Sequence, residues 1–240
     1  VNLIMKEMEA AKKELKEAEE AAHKTVKLSL YAASKLVPSF LMEFRKRHPD
    51  IRLEILLQGL QTEHHVGYKG CDLALCSNIH PLDDGHSVTL FKEEIMLAVP
   101  DTDPHANMPS VNLSDFSESS FICLHTGQSL RTVTDYYCRE AGFMPKVALE
   151  SDSPETVQEF IRTGLGISFV PQITWGGVGG ENVVLVPIAS PRCYRYISLT
   201  WDKNRELPAP AAELKKFIID HFADFAKSYA AKRFSQFNKH

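Results

Sequence analysis

From residue 26 onward the sequence alternates between strand-like and helix-like periodicity, and this order constrains the fold more than any other feature. Residues 26–30 alternate between apolar and polar side chains, which predicts a strand ending near Tyr31. An apolar helical stripe follows over residues 36–44, and a second alternating run occupies residues 51–57. A strand, a helix and a strand in this order predict a parallel sheet with a right-handed crossover.

A second strand–helix set lies beyond an irregular stretch of the chain. Residues 95–99 and 121–124 are apolar and predict further strands, and the proline-containing segment between them breaks the pattern. Two such sets predict an α/β fold with two Rossmann-like lobes. The chain would cross between the lobes near residues 88–94 and return near residues 190–196, and two crossings make a hinge with a cleft between the lobes.

Residues 1–22 carry a different pattern from the rest of the chain. Apolar residues recur there at alternating spacings of three and four, at Val1, Ile4, Met8, Ala11, Leu15, Ala18 and Ala22. Most of the other positions are Lys and Glu, which favour a helix. The pattern predicts an amphipathic helix that either packs on its own domain or forms a dimer seam with a second copy of the chain.

Charge and hydropathy argue against several classes of protein. The net charge is −4 and the isoelectric point is about 6.2, so the chain lacks the basic excess of a freestanding nucleic-acid binder. No apolar run approaches the ~18 residues of a membrane span, and residues 1–5 do not have the pattern of a signal peptide. We therefore expect a cytoplasmic protein with no membrane partner, and the missing initial Met suggests a cut or processed chain.

The five cysteines are widely scattered and include no Cys-x-x-Cys pair. An odd number without that spacing predicts reduced thiols rather than disulfides or a zinc site. The pair His64 and His65, taken with Cys71 and Cys76, matches no zinc spacing, so we predict no metal site. No nucleophile motif or phosphate loop is present either, and we expect neither a catalytic site nor a cofactor.

Seven short motifs follow one another along the chain. They are Leu-Ser-Leu at 28–30, Leu-Val-Pro at 36–38, His-Pro-Asp-Ile at 48–51, Gly-Cys-Asp-Leu-Ala-Leu at 70–75, Glu-Glu-Ile-Met-Leu-Ala-Val-Pro at 93–100, Ala-Gly-Phe at 141–143 and Gly-Leu-Gly-Ile-Ser-Phe-Val-Pro at 164–171. In this order and spacing they resemble the effector-binding domain of LysR-type transcriptional regulators over residues 26–222. Residues 1–22 fall where that family has its linker helix.

The resemblance implies a fold like that of type 2 periplasmic-binding proteins, preceded by an N-terminal linker helix. It divides the chain into a linker and dimerisation helix at 1–24, lobe I at 25–92 plus 193–240, and lobe II at 93–192. The winged helix-turn-helix that begins such regulators is absent from this sequence. We therefore expect DNA contact only through that missing domain, and a homodimer or homotetramer as the assembly.

The resemblance also implies a small, anionic effector bound in the cleft between the lobes. Helix N-termini offer free N–H groups to such a ligand, and hydroxyl side chains add donors. The loops that face the ligand in the family correspond here to Ser34, Lys35, Gln61, Thr62, Thr126, Gln128, Ser129 and Ser151. Each of these residues could instead be an ordinary cap or turn residue, and Ser34 and Ser129 in particular are placed as helix N-caps.

Two charged residues leave alternatives open in this cleft. Lys35 is either a counter-ion for a carboxylate effector or a solvated lysine. Asp152 would repel an anion unless it only caps its helix. The chain also departs from the family in two places, since residues 61–69 lack a Leu-rich helix and residues 175–181 are Gly-rich, which predicts a short or irregular helix there.

The sequence thus predicts the ligand-sensing domain of a LysR-type regulator, in which an effector changes the lobe angle or the dimer packing. The alternative is a solute-binding protein for small-molecule transport, which shares the fold class. The heptad pattern of residues 1–22 argues against transport, because such a receptor needs no dimer seam before its first strand.

Overall fold

The computed structural model describes residues 24–57, 70–179 and 182–237, with side chains as far as residue 228. The predicted helix over residues 1–22 lies outside the described residues, and so do the site candidates Gln61 and Thr62. Within the described residues, no helix combines the length and the apolar composition that crossing a membrane requires.

The first part of the chain forms the predicted strand–helix–strand unit. Its elements are β1 (Thr25–Leu30), a 3-10 turn (Ser34–Leu36), α1 (Val37–Arg47), β2 (Arg52–Leu57) and β3 (Leu73–Asn78). Strand β1 pairs in parallel with both β2 and β3, which confirms the predicted parallel sheet. Helix α1 buries Val37, Phe40 and Phe44 against this sheet, and Pro38 lies in its first turn, where the missing N–H costs nothing.

Strand β4 (Ser87–Pro100) is far longer than the predicted strand at 95–99 and runs through the first predicted crossing. Its first half pairs antiparallel with β11 (Tyr194–Thr200), and its second half pairs with β8 (Ser168–Pro171) and β9 (Val183–Val186). The sheet order is β2-β1-β3-β11-β4-β8, with β9 also beside β4. The connection between the two halves of the molecule is therefore a continuous hydrogen-bonded strand rather than a loose linker.

The middle of the chain forms the second α/β unit. It contains β5 (Val111–Asn112), a 3-10 turn (Leu113–Phe116), β6 (Ser120–Leu124), α2 (Ser129–Glu140), β7 (Lys146–Ser151), α3 (Pro154–Arg162) and β10 (Ile188–Ser190). Strands β6 and β7 pair in parallel, and β10 pairs in parallel with β5. Residues 172–177 form successive turns, and the described part of the Gly-rich segment 175–181 is irregular, as its composition predicts.

Helix α4 (Ala209–Phe237) closes the first core. Phe222 on this helix meets Phe40 of α1 edge-on, with ring centroids 5.6 Å apart. The second core lies around β6 and β8, where Phe121 and Phe169 stack with centroids 5.6 Å apart. Burial of each such side chain contributes about 2 kcal/mol, so each half has its own apolar support.

The buried apolar side chains change from one core to the other between Phe91 and Ile95, and change back between Cys193 and Ile197. The two changes fall at the predicted crossings of the chain. The lobe limits at 25–92 plus 193–240 and at 93–192 stay predictions.

Two predicted helix caps are wrong. Ala33, with φ 60°, occupies the position before the 3-10 turn, and Ser34 is the first residue of that turn rather than a cap. Gln128 is the N-cap of α2 and Ser129 is its first helical residue, so the Ser129 hydroxyl is available for another bond. Helix α3 is capped by Ser153, whose hydroxyl oxygen accepts from the Thr156 N–H at 3.1 Å.

Candidate functional site

A cavity of about 350 Å³ lies between the two cores, a volume within the range of small-molecule sites. It forms where the carboxyl ends of β1 and β6 meet the N-termini of α2 and α3, which is the edge at which α/β sheets bind ligands. The described lining residues are Leu30, Tyr31, Ala32, Ala33, Ser34, Leu57, Leu124, Gln128, Ser129, Leu130, Asp152, Ser153, Pro154, Glu155, Trp175 and Arg195. Both halves of the molecule thus contribute to one cavity.

Three of the predicted site residues line this cavity, namely Ser34, Gln128 and Ser129. Thr126 is exposed and Ser151 is half-buried, and in the described structure both lie in the adjoining loops rather than in the cavity wall. The Ser151 hydroxyl oxygen accepts from the Ser153 N–H at 3.2 Å, which shapes the turn before α3. The described predicted residues therefore lie in loops around this cavity, and only part of each loop reaches its wall.

Two hydrogen bonds join the halves beside the cavity. The Ser129 hydroxyl donates to the carbonyl oxygen of Tyr31 at 2.8 Å, which links the start of α2 to the end of β1. The Lys35 ammonium donates to the side-chain oxygen of Gln158, a residue of α3 that is 2% exposed. Lys35 is thus held by the opposite half of the molecule, an arrangement that neither sequence-based alternative included.

We call Arg195, which lines the cavity, and its buried partner Glu93 the floor of the cavity. The sequence analysis missed this ion pair. Arg195 on β11 lies directly opposite Glu93 on β4 in the strand register, and its Nε is 2.6 Å from the Glu93 Oε1. The two side chains are 3% and 0% exposed. Glu93 Oε2 also accepts from the N–H groups of Ile173 and Thr174, at 3.0 and 2.9 Å, so the carboxylate holds the turn after β8.

Arg195 uses its remaining contacts to join three elements. Its Nη2 donates to the Thr174 hydroxyl, and its Nη1 lies 3.5 Å from the Ser77 hydroxyl at the end of β3. A buried charge pair of this kind is tolerated because each charge is hydrogen-bonded as well as paired. The only sequence signal for this pair is that Glu93 lies at the first predicted crossing of the chain and Arg195, of opposite charge, lies at the second.

The rim of the cavity is acidic where α3 begins. Asp152 and Glu155 both line the cavity, and the cap of α3 is Ser153, so the suggestion that Asp152 only caps its helix is wrong. Gln128 is 6% exposed and its side-chain nitrogen donates to the Asp152 carbonyl oxygen at 3.0 Å, which ties the loop before α2 to the loop before α3. The described cavity therefore carries both signs of charge.

Arg131 fixes the loop that carries Thr126 and Gln128. Its Nη1 donates to the Leu124 carbonyl oxygen at 3.0 Å, and its Nε donates to Asp135 at 2.7 Å. Burial alone would lower the pKa of Arg131, but the hydrogen bond and the charge of Asp135 outweigh it and raise that pKa above its ordinary value. The guanidinium stays charged and holds the loop at the cavity.

The five cysteines are free thiols, and all of them are buried. Burial raises the pKa of Cys76 to about 12, of Cys123 to about 11 and of Cys138 to about 12. Burial is also the main cause of the raised pKa of Cys71 and Cys193. Thiols with a raised pKa are protonated at neutral pH and are poor nucleophiles. Among the described residues, no group of three or more His, Cys, Asp or Glu side chains is placed to hold a metal ion.

Comparison with known proteins gives a consistent result. The sequence model of the LysR substrate binding domain matches residues 18–223. The uncharacterized HTH-type transcriptional regulator YybE of Bacillus subtilis is 27% identical over 233 residues, covering 93% of this chain and 77% of the relative. The transcriptional dual regulator GltC of the same organism is 28% identical over 228 residues, covering 93% and 76%.

A solved structure shares the fold. The effector-binding domain of QuiR in complex with shikimate superposes with a TM-score of 0.70 at 22% identity, covering 83% of this chain and 97% of that chain. At this level of identity the likeness shows the fold alone, which is the predicted type 2 periplasmic-binding-protein-like arrangement.

Proposed function

The chain belongs to the LysR substrate-binding domain family, and we propose that its interlobe cavity binds the small-molecule effector of a LysR-type transcriptional regulator. The observation that carries the proposal is the cavity itself, which places Ser34, Gln128 and Ser129 at the edge where two strands end and two helices begin. A transport receptor is less well supported, because YybE and GltC are transcriptional regulators. No catalytic role is proposed.

Regulation requires that the effector bind one lobe arrangement more tightly than another, since equal affinity would shift no equilibrium. The bond from Ser129 to Tyr31 and the bond from Lys35 to Gln158 both cross the cleft, so they form only when the lobes are close. An effector between the lobes would add contacts to this closed arrangement. We propose that the resulting change in lobe angle or dimer packing is passed to the DNA-binding part of the full-length regulator.

The remaining parts of the proposal concern regions beyond the described residues. DNA contact would come from the winged helix-turn-helix of a full-length regulator. Self-association into a homodimer or homotetramer would use the heptad seam of residues 1–22, and the protein would act in the cytoplasm. Gln61 and Thr62 are proposed as effector contacts on the basis of the family resemblance, together with Lys35, Thr126 and Ser151.

The two tryptophans allow a direct test of the cavity. Trp175 lines it, whereas Trp201 lies elsewhere, with the Lys215 ammonium 4.3 Å from its ring centroid. In a Trp201→Phe protein, fluorescence would report Trp175 alone. A panel of small hydroxy acids, phosphorylated acids and amino acids, including shikimate, should contain compounds that change this emission saturably and also raise the Tm.

Variants then locate the binding site. Replacing Ser34 and Ser129 together by Ala should remove the response to the active compounds, because both residues line the cavity and the Ser129 hydroxyl links its two sides through the Tyr31 carbonyl oxygen. Ser114→Ala is the matched control, since Ser114 is exposed and lies in the 3-10 turn after β5. Trp175 emission that no compound in the panel changes, or an unchanged response in the double variant, would count against the cavity as the effector site.

A further inference from the structure

We propose, on the basis of the proposed effector cavity, that Arg195 determines which charge a bound effector must carry. It would bind a single carboxylate of the ligand through its terminal nitrogens, so that the cavity selects small monocarboxylates over neutral analogues and over dicarboxylates. The assignment goes beyond the loop residues that the family resemblance points to, and it rests on the floor of the cavity rather than on its rim.

The guanidinium of Arg195 is placed for this role. Arg195 lines the cavity, and the bonds of its guanidinium within the described residues run from Nε to Glu93, from Nη2 to Thr174 and from Nη1 to Ser77. A guanidinium has five N–H donors, so Nη1 and Nη2 each keep one further hydrogen beyond these bonds. Two adjacent donors are the arrangement that a carboxylate accepts in bidentate fashion.

The Glu93 carboxylate is held in place beside Arg195 by hydrogen bonds to both of its oxygens. Its Oε2 accepts from two backbone N–H groups of the turn after β8, and its Oε1 accepts from Arg195 at 2.6 Å. The carboxylate therefore balances the charge of Arg195 without blocking the terminal nitrogens. Since the affinity for an anion depends on the charge that remains uncompensated, Glu93 moderates the attraction of Arg195 for an acid.

Two carboxylates that also line the cavity limit the ligand to one acid group. Arg195 is the one cationic side chain among the described lining residues, whereas Asp152 and Glu155 are carboxylates at the start of α3. Asp152 has no side-chain hydrogen bond within the described part of the chain, so it offers an acceptor to the ligand. A ligand that turns a hydroxyl or ammonium group toward Asp152 is favoured, and a second carboxylate there meets like charge.

The test uses three probes of similar shape that do not absorb where Trp175 is excited. They are cyclohexanecarboxylate, the neutral cyclohexanecarboxamide and 1,4-cyclohexanedicarboxylate, titrated into the Trp201→Phe protein and into variants made in that protein. Glu93→Gln keeps the shape and removes the balancing charge. It should raise the affinity for cyclohexanecarboxylate about tenfold and leave the affinity for the amide unchanged.

Changes at Arg195 should give the opposite result. Arg195→Gln should bind the acid and the amide equally, while Arg195→Lys should keep a preference for the acid, and circular dichroism checks that each variant is folded. If Glu93→Gln alone does not fold, the double change Glu93→Gln with Arg195→Gln leaves no unpaired charge and should show no acid preference. Arg162→Gln is the matched control, because Arg162 is also an ion-paired arginine but lies outside the cavity wall.

The outcomes separate this proposal from the proposed function. Acid and amide that bind the Glu93→Gln protein equally, a dicarboxylate that binds as well as the monocarboxylate, or no response of that protein to the acid would each overturn the assignment to Arg195. The cavity would still be the effector site in those cases if compounds of the wider panel change Trp175 emission. If the panel also fails, the cavity assignment itself is wrong.

Discussion

The floor and the rim of the interlobe cavity are built in different ways. On the floor, strand pairing sets Arg195 opposite Glu93, and their side chains are 3% and 0% exposed. On the rim, polar side chains such as Ser34 and Asp152 lie on loops that follow strands and contact solvent. Strand register fixes the floor before any ligand arrives, whereas rim side chains can change partners as the lobes move.

This difference separates two kinds of contribution to binding. A charged side chain that is already held in place loses little conformational entropy when a ligand binds. The floor is therefore suited to select a ligand by its charge. The floor also joins the halves of the molecule, because Glu93 on the shared strand β4 accepts from the Thr174 N–H in the turn after β8. The rim adds individual hydrogen bonds, each of modest energy.

The largest expected effect comes from breaking the floor. Glu93→Ala leaves the buried Arg195 without its counter-charge and should lower the free energy of unfolding by ~3–5 kcal/mol, measured by urea denaturation. Glu159→Ala, which removes the exposed partner of Arg162, is the matched control and should cost less than ~1 kcal/mol. Equal losses in the two variants would show that the buried pair contributes no more than a surface one.

How far the sequence predicts the fold can be seen along β4. The alternation of residues 26–30 and 51–57 is local, and it correctly predicted the parallel pairing of β1 with β2. The prediction of β4 stopped short at 95–99, because Lys92 and Glu93 interrupt the apolar pattern. In the structure Lys92 lies 3.6 Å from the ring centroid of Tyr194, and Glu93 pairs with Arg195, so partners distant in sequence compensate both charges.

The same limit applies to the cavity. Ser34, Gln128 and Ser129 could be predicted to lie near it, because small polar residues between a strand and a helix are a local signal. The partner of the Ser129 hydroxyl could not be predicted, since Tyr31 is 98 residues away. Arg195 reads as one charged residue in an apolar strand until the register with β4 is known, which is why the floor was missed.

A second prediction concerns the buried strand next to the floor, where Cys76 precedes Ser77 on β3. Burial, partly offset by the hydrogen bond with Thr200, raises the pKa of Cys76 from its ordinary value of about 9 to about 12. The folded protein therefore keeps a proton that the unfolded chain loses above pH 9, so stability is lost as pH rises from 9 toward 12. This one thiol should cost on the order of 1 kcal/mol at pH 10.

Cys76→Ala should remove that contribution. The free energy of unfolding of this variant should fall less steeply between pH 8 and pH 10 than that of the wild-type protein. The difference between the two proteins at pH 7 measures the packing lost with the thiol, and it is subtracted at each higher pH. Denaturant titration across this range is the measurement. If the free energies of unfolding of the two proteins change with pH at the same rate, the raised pKa of Cys76 is wrong, and so is the burial of Cys76 from water that causes it.

The third prediction concerns the bond that crosses the cleft from the rim. Ser129→Ala removes the donor to the Tyr31 carbonyl oxygen and should cost ~1 kcal/mol of stability. It should also raise the radius of gyration in small-angle scattering, because one of the contacts that hold the lobes together is lost. Ser114→Ala, at an exposed position in the 3-10 turn after β5, should change neither quantity.

The smallest effect on stability is expected at Thr126, on the outer rim. Thr126 is exposed, and its carbonyl oxygen lies 2.8 Å from the His125 Nδ1. This contact involves the backbone of Thr126, so the loop does not depend on the threonine hydroxyl. Thr126→Ala should change the free energy of unfolding by less than ~0.5 kcal/mol. It should nevertheless weaken the binding of an active panel compound, by about threefold, if the hydroxyl donates to the ligand as proposed. Affinity measured by Trp175 fluorescence decides the matter: an unchanged affinity would make Thr126 an ordinary turn residue, and a loss of stability as large as that of Glu93→Ala would abolish the distinction between rim and floor.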